Sequence, residues 1–204
     1  PPIWARLPED EVETFELVSP LPEVFKLGTD ARCRCGSLPD PDAPVQTLSC
    51  ILYDERMAFS ARIEVRSCAS CRIQSQSYAG PDLAKLGIFN FNNTRLYTHN
   101  LLNKYTSAMS SSETPFHAFQ TQVSRDYLVS KSPLAFVCEQ TFRLVYYAFS
   151  RIQKLGCQFA FVCGTCGPEP EVLLFDGVTA GYNAKFCTEA LRPPTTIDAD
   201  SPAR

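Results

Sequence analysis

Apolar and polar positions alternate most clearly between Val45 and Arg66. Phe59, Ala61, Ile63 and Val65 alternate with Ser60, Arg62, Glu64 and Arg66, the period-two pattern of a strand with one buried and one wet face. Val45 to Tyr53 reads as its partner strand, and Tyr53-Asp54-Glu55-Arg56 as the turn between them. Ile73 to Tyr78 is expected to add a third strand, and Leu86 to Phe91 a short one stopped by Asn92-Asn93. The spacing then becomes helical. Leu101, Leu102, Tyr105 and Met109 fall on one side of a helix from Leu96 to Ser110. Thr114-Pro115 is read as the start of a second, because threonine caps and proline suits the first helical position. Its stripe is Phe116, Phe119, Val123 and Tyr127. Ser132-Pro133 is read as the start of a third, carrying Phe136, Phe142, Val145, Phe149 and Ile152 and ending at Gly156. Strand character returns at Phe159 to Val162 and Val172 to Phe175, with Asp176-Gly177 turning the chain into Val178 to Tyr182.

These periods, read with the closely spaced cysteine pairs Cys33/Cys35, Cys68/Cys71 and Cys163/Cys166, predict an α+β fold: a zinc-ribbon-like β subdomain, a helical segment and a C-terminal zinc knuckle with a β-hairpin. The expected segments are an acidic, proline-punctuated arm at 1–30, the ribbon at 31–80, the mainly helical part at 81–156, the knuckle and hairpin at 157–191, and a flexible tail at 192–204. With 204 residues, 45% hydrophobic and 20% charged, the chain has the composition of a globular protein. The net charge of -3 gives no overall attraction to nucleic acid, so any such contact needs a local patch. No apolar run approaches the ~20 residues of a spanning helix, so no membrane location is expected.

The ribbon reading comes from the cysteines. Cys33-x-Cys35 and Cys68-x-x-Cys71 are two closely spaced pairs flanking the predicted hairpin. One turn can supply two ligands to a tetrahedral ion, and such spacing favours metal over disulfides in a chain of this size. Four thiolates select zinc, and a closed site leaves no position for water, so this site is expected to hold the fold and do no chemistry. Cys50 reads as a small core residue. Cys163 and Cys166 supply half of a possible second zinc site. Cys138, Cys157 and Cys187 are candidates for its other half, with His99 and His117 behind them; the alternative is a degenerate knuckle of buried, reduced thiols. The two histidines by themselves read as surface or capping residues on helices.

Other signals carry a plainer alternative. Asp176 at a strand end has the placement of a metal-binding carboxylate, yet Asp-Gly is also a hairpin turn, and only Glu189, Asp198 and Asp200 follow it. The turn reading is preferred. Arg62 and Arg66 share one strand face and, with Arg72, are the residues a nucleic acid would meet; the alternative is solvated surface. No motif combining aromatic and basic residues for base stacking stands out.

Several short stretches occur in a telling order: Leu86-Gly87-Ile88-Phe89-Asn90-Phe91-Asn92-Asn93, Leu101-Leu102-Asn103-Lys104-Tyr105-Thr106, Ser112-Glu113-Thr114-Pro115-Phe116, Cys163-Gly164-Thr165-Cys166-Gly167-Pro168, Asp176-Gly177 and Leu191-Arg192-Pro193-Pro194-Thr195. Together they resemble the cysteine-cluster regions found beside KDZ (Kyakuja-Dileera-Zisupton) transposases, and the related region of the HMG-box-domain-containing protein 3 family. The resemblance implies a zinc-chelating module next to an RNase-H-like transposase, with Asp176 matching the first acidic residue of such a core. The expectation is a non-catalytic, nuclear recognition module that binds DNA or a nuclear protein partner, with no small-molecule substrate. The alternatives are a protein-interaction module without DNA contact, and the N-terminal fragment of a transposase core built on Asp176.

Overall fold

The computed structural model describes residues 15–68, 70–71 and 78–153, together with Pro2 and Trp4. Its strands in chain order are β1 (Val24–Phe25), β2 (Gln46–Tyr53), β3 (Ala58–Ser67), β4 (Tyr78–Ala79), β5 (Ile88–Asn90) and β6 (Arg95–Thr98). Three helices follow: α1 (His99–Ser112), α2 (Phe116–Val129) and α3 (Glu139–Ile152). The fold is therefore mixed α+β.

The predicted hairpin is the frame. β2 and β3 pair antiparallel from Gln46↔Val65 to Tyr53↔Ala58, and the Asp54 amide donates to the Met57 carbonyl across the turn at 3.0 Å. β6 runs parallel to β2 on one side, with β5 antiparallel beyond it. β1 runs parallel to β3 on the other side, and β4 pairs with the far end of β3. The order is β1-β3-β2-β6-β5, with β4 off the main path. Of the expected third strand, Tyr78 opens β4, while residues 73–77 lie outside the described residues.

Both faces of this sheet bury apolar side chains. One face carries Leu52, Ile63, Val65, Ile88 and Leu96, covered by Phe25, Leu83 and the partly buried Leu17 and Leu21. The segment read as an acidic arm thus contributes an edge strand and a lid: Phe25 is 1% exposed, and the Val18 amide donates to the Leu86 carbonyl. Gly87 lets that segment pass. It sits at φ 70, and a Cβ there would lie 2.6 Å from the Leu17 amide nitrogen. The other face presents Tyr53, Ala58, Phe89 and Tyr97 to the three helices. Tyr53 and Tyr97 stack at 5.0 Å, and Tyr105 on α1 meets Phe116, Phe119, Phe142 and Tyr146 from α2 and α3. Edge and offset ring contacts of this kind add to the burial term and give the helical layer its packing.

The helix starts differ from the sequence expectation for local reasons. Leu96 to Thr98 belong to β6, because pairing with β2 and β5 claims their backbone. The chain passes from strand to helix at Thr98, whose hydroxyl oxygen accepts from the Leu101 amide (3.3 Å) while its hydrogen goes to Asp54 Oδ1 (2.7 Å). Pro115, not Thr114, occupies the cap position of α2, with no side-chain cap. α3 begins at Glu139, well after Ser132-Pro133. Ser132 is instead held in the loop, its hydroxyl accepting from the Ala58 amide (3.0 Å) and donating to the Leu134 carbonyl (2.6 Å). Lys131 at φ 53 turns the chain there, and Phe136 enters the core from the loop. The expected end at Gly156 and the strands after it lie outside the described residues.

His99 is half-buried rather than exposed. Its ring sits between Phe15 (6.4 Å) and Phe149 (5.4 Å), and burial pushes its pKa down to about 4. The unfolded chain takes up a proton at this ring below about pH 6.5, whereas the folded chain resists until about pH 4. The stability contributed by the neutral ring is complete above pH 6.5 and is lost as pH falls toward 4. We expect a loss of roughly 2 kcal/mol between pH 6.5 and 5 from this group. Urea unfolding at several pH values should show that slope in the native chain and a shallower one in His99→Gln.

Candidate metal centre

The two cysteine pairs meet because three short backbone contacts draw the 31–40 loop onto the end of the hairpin. Arg32 and Gly80 form a two-way bridge, each amide donating to the other's carbonyl at 3.3 Å. Pro39 bridges Cys68, and the Asp40 amide donates to the Ser67 carbonyl at 2.8 Å. Within the loop, the Gly36 amide donates to the Cys33 carbonyl (2.8 Å) and the Cys33 amide to the Ser37 carbonyl (2.9 Å). This tight turn at Gly36 (φ 85) places Cys33 and Cys35 side by side. Cys68 leaves β3 directly, and β4 returns along it at Arg66↔Ala79 and Ser67↔Tyr78. Cys33, Cys68 and Ala79 form a small buried cluster with Cys71 packed against it.

The four Sγ atoms of Cys33, Cys35, Cys68 and Cys71 all lie within 4.8 Å of one another. Cys33 and Cys71 are 3.8 Å apart, and Cys35 and Cys68 3.5 Å. A zinc ion with bonds of about 2.3 Å to four thiolates would separate the sulfurs by about 3.8 Å along each tetrahedral edge. A disulfide would need about 2.05 Å. The donor set and its spacing therefore fit one tetrahedral metal ion. Burial pushes the Cys33 thiol well up. At Cys35 burial acts the same way, but hydrogen bonds from the Ser37 side chain and backbone, and from Cys71 and Cys68, outweigh it and bring the thiol down to about 6.

The remaining sequence candidates are placed elsewhere. Cys50 is buried in β2 among apolar side chains and its thiol is pushed up to about 11 by that burial, in keeping with a core role. Cys138 is exposed at the cap of α3, where its sulfur contacts the Thr141 hydroxyl at 3.3 Å, and it is not part of the four-sulfur group. His117 is exposed on α2. Arg62 is exposed, 3.8 Å from Glu23. Arg66 Nε is buried without a hydrogen-bond partner among the described residues. Arg72, Cys157, Cys163, Cys166, Cys187 and Asp176 lie outside the described residues.

Sequence reasoning missed the support of this site. Asn92-Asn93 read only as a strand stop. In the fold, Asn90 and Asn93 are buried and clasp the segment from Tyr78 to Pro81, which includes Gly80. Asn90 Nδ2 donates to the Pro81 carbonyl (3.2 Å) and to Asn93 Oδ1 (2.9 Å), the Asn93 amide donates to Asn90 Oδ1 (2.8 Å), and Asn93 Nδ2 donates to the Tyr78 carbonyl (3.2 Å). Gly80, bridged to Arg32 beside Cys33, leaves room for this pair, since a Cβ there would collide with Asn93 Oδ1. The signal available in sequence was an Asn pair at a strand end, able to adopt the left-handed turn seen at Asn93 (φ 63).

Breaking the clasp leaves buried amide and carbonyl groups unpaired, at a cost of about 1–3 kcal/mol. Asn93→Ala and Gly80→Ala are both expected to lower stability in that range by urea denaturation. Asn92→Ala, which removes only exposed turn contacts to Thr94 and Arg95, is expected to cost less.

No curated protein and no solved structure matches this chain. The family described as the CxC4 like cysteine cluster associated with KDZ transposases matches residues 17–149. That span runs from the segment that lids the sheet to the core face of α3, and it includes all four clustered cysteines. The chain belongs to the CxC4-like cysteine-cluster family associated with KDZ transposases.

Proposed function

We propose that Cys33, Cys35, Cys68 and Cys71 hold one Zn2+ as a structural site, and that the domain is a non-catalytic recognition module of a transposase-derived protein. The observation that carries this reading is the mutual approach of four sulfurs within 4.8 Å, two from a loop and two from the end of a hairpin. Soft thiolates in a tetrahedron favour zinc, and sulfurs this close enclose a single ion and leave no room for the bridging sulfides of an iron–sulfur cluster. With all four positions taken by protein, no water is available for activation. The ion's role is then to bind the 31–40 loop to β3, in a ribbon-like order of knuckle, hairpin and second knuckle. A module acting beside a transposase would work in the nucleus, on DNA or on a protein partner there.

Metal analysis of the purified chain tests the site. One zinc per chain assigned to this cluster is expected, and Cys33→Ser or Cys68→Ser should lower the zinc content by one. Binding free energy at such a site is folding free energy, so chelation should also destabilise the chain. Any zinc held by Cys163 and Cys166 would persist in those variants and fall in Cys163→Ser. Unchanged zinc content after substitution at Cys33 and Cys68 would refute the assignment.

A further inference from the structure

We propose that the open half of the helix-bearing sheet face is a binding groove for the phosphodiester backbone of nucleic acid, with Arg62 and Arg95 as its phosphate ligands. This deepens the recognition-module reading and rests on it. The helices cover that face at Tyr53, Ala58 and Tyr97. They stop short of its other end. By strand alternation Ser49 lies on the same face as Ile51 and Tyr53, Ser60 and Arg62 on the same face as Ala58, and Arg95 on the same face as Tyr97. Ser49, Ser60, Arg62, Thr94 and Arg95 are all exposed, and with Ile51 and Glu23 they line a cavity of about 500 Å3.

The register sets the spacing of the two guanidinium groups. Arg62 pairs with Ser49 and Arg95 with Ile51, so the arginines stand two strands apart and two residues out of step. Strand spacing and rise put their Cα atoms about 12 Å apart across a floor of small hydroxyl side chains. Arginine forks and serine or threonine hydroxyls are the groups that hold phosphate oxygens. The local charge is positive. Lys26 and Glu64 neutralise each other at 2.8 Å, and Arg95 has no ion-pair partner among the described residues. Glu23 is the one acid among the described residues lining the groove, 93% exposed and 3.8 Å from Arg62.

The lining favours a nucleic-acid backbone over a peptide. Among the described residues Ile51 is the only large apolar side chain that lines the groove and none of the lining residues is aromatic, so the groove offers neither an anchor pocket for a protein partner nor a stacking platform for bases. The binding is therefore independent of base sequence.

The test is fluorescence anisotropy of the zinc-loaded 204-residue chain with a labelled oligo-dT strand, a mixed-sequence duplex and an acidic peptide. Two phosphate contacts give a slope of log K against log salt of about -1.4 for a single strand and -1.8 for a duplex. That is about a sevenfold or twelvefold loss of affinity between roughly 50 and 200 mM salt, and the slopes tell the two sources apart. Arg62→Ala with Arg95→Ala should abolish the slope, the paired lysine substitutions should keep most of it, and Glu23→Gln should tighten binding. Nucleic-acid binding that is unchanged in both the alanine pair and Glu23→Gln would overturn the groove, as would binding of the acidic peptide alone. Zinc content measured on the same samples separates this failure from failure of the metal assignment.

Discussion

Slip the β2–β3 ladder by one residue and the molecule comes apart in two places at once. Ile63 and Val65 would turn from the Phe25 side toward the helices, and Arg62 would enter the apolar layer that it now faces away from. The same slip would move Cys68, the residue that follows β3, off the loop that carries Cys33 and Cys35. The register from Gln46↔Val65 to Tyr53↔Ala58 is thus the constraint on which both the core and the cysteine cluster depend. It is enforced from both faces, because each strand carries buried side chains on each side.

The two ends of this hairpin are stabilised by different physics. At the turn end, Tyr53, Ala58 and Tyr97 are buried under an aromatic layer from three helices, where burial and ring geometry dominate. At the open end there is little apolar surface: Cys33, Cys68 and Ala79 make a cluster too small to close the loops unaided. There the contacts are backbone bridges, the Asn90–Asn93 clasp and four convergent sulfurs. A metal ion is suited to such a place, since its ligand bonds replace the hydrophobic area that short loops cannot supply. Between these ends the described helices leave the sheet face uncovered, and the groove with Arg62 and Arg95 is found there.

The cysteine site was legible in the chain because its information is local. Two ligands one or two residues apart sit on one turn whatever the rest of the fold does, and the intervening hairpin brings the pairs back together. The support around it was not legible. Gly80, Asn90 and Asn93 are unremarkable in sequence, and their roles arise only when β4 and the β5–β6 turn are adjacent. The third helix start failed for a related reason. Ser132-Pro133 has the local signature of a start, but Ser132 is engaged by Ala58, 74 residues away in the chain.

Local periodicity by itself determined the hairpin, the presence of three helices with most of their apolar stripes, and the two closely spaced cysteine pairs, because strand alternation, the helical repeat and knuckle spacing are short-range properties of the chain. The tertiary structure decided the rest. It made Val24–Phe25 an edge strand, set β6 parallel to β2, packed the half-buried His99 against two phenylalanines and gathered four sulfurs within 4.8 Å. Each of these joins residues far apart in sequence, and such contacts are chosen by which packing buries the most apolar surface with every backbone group paired.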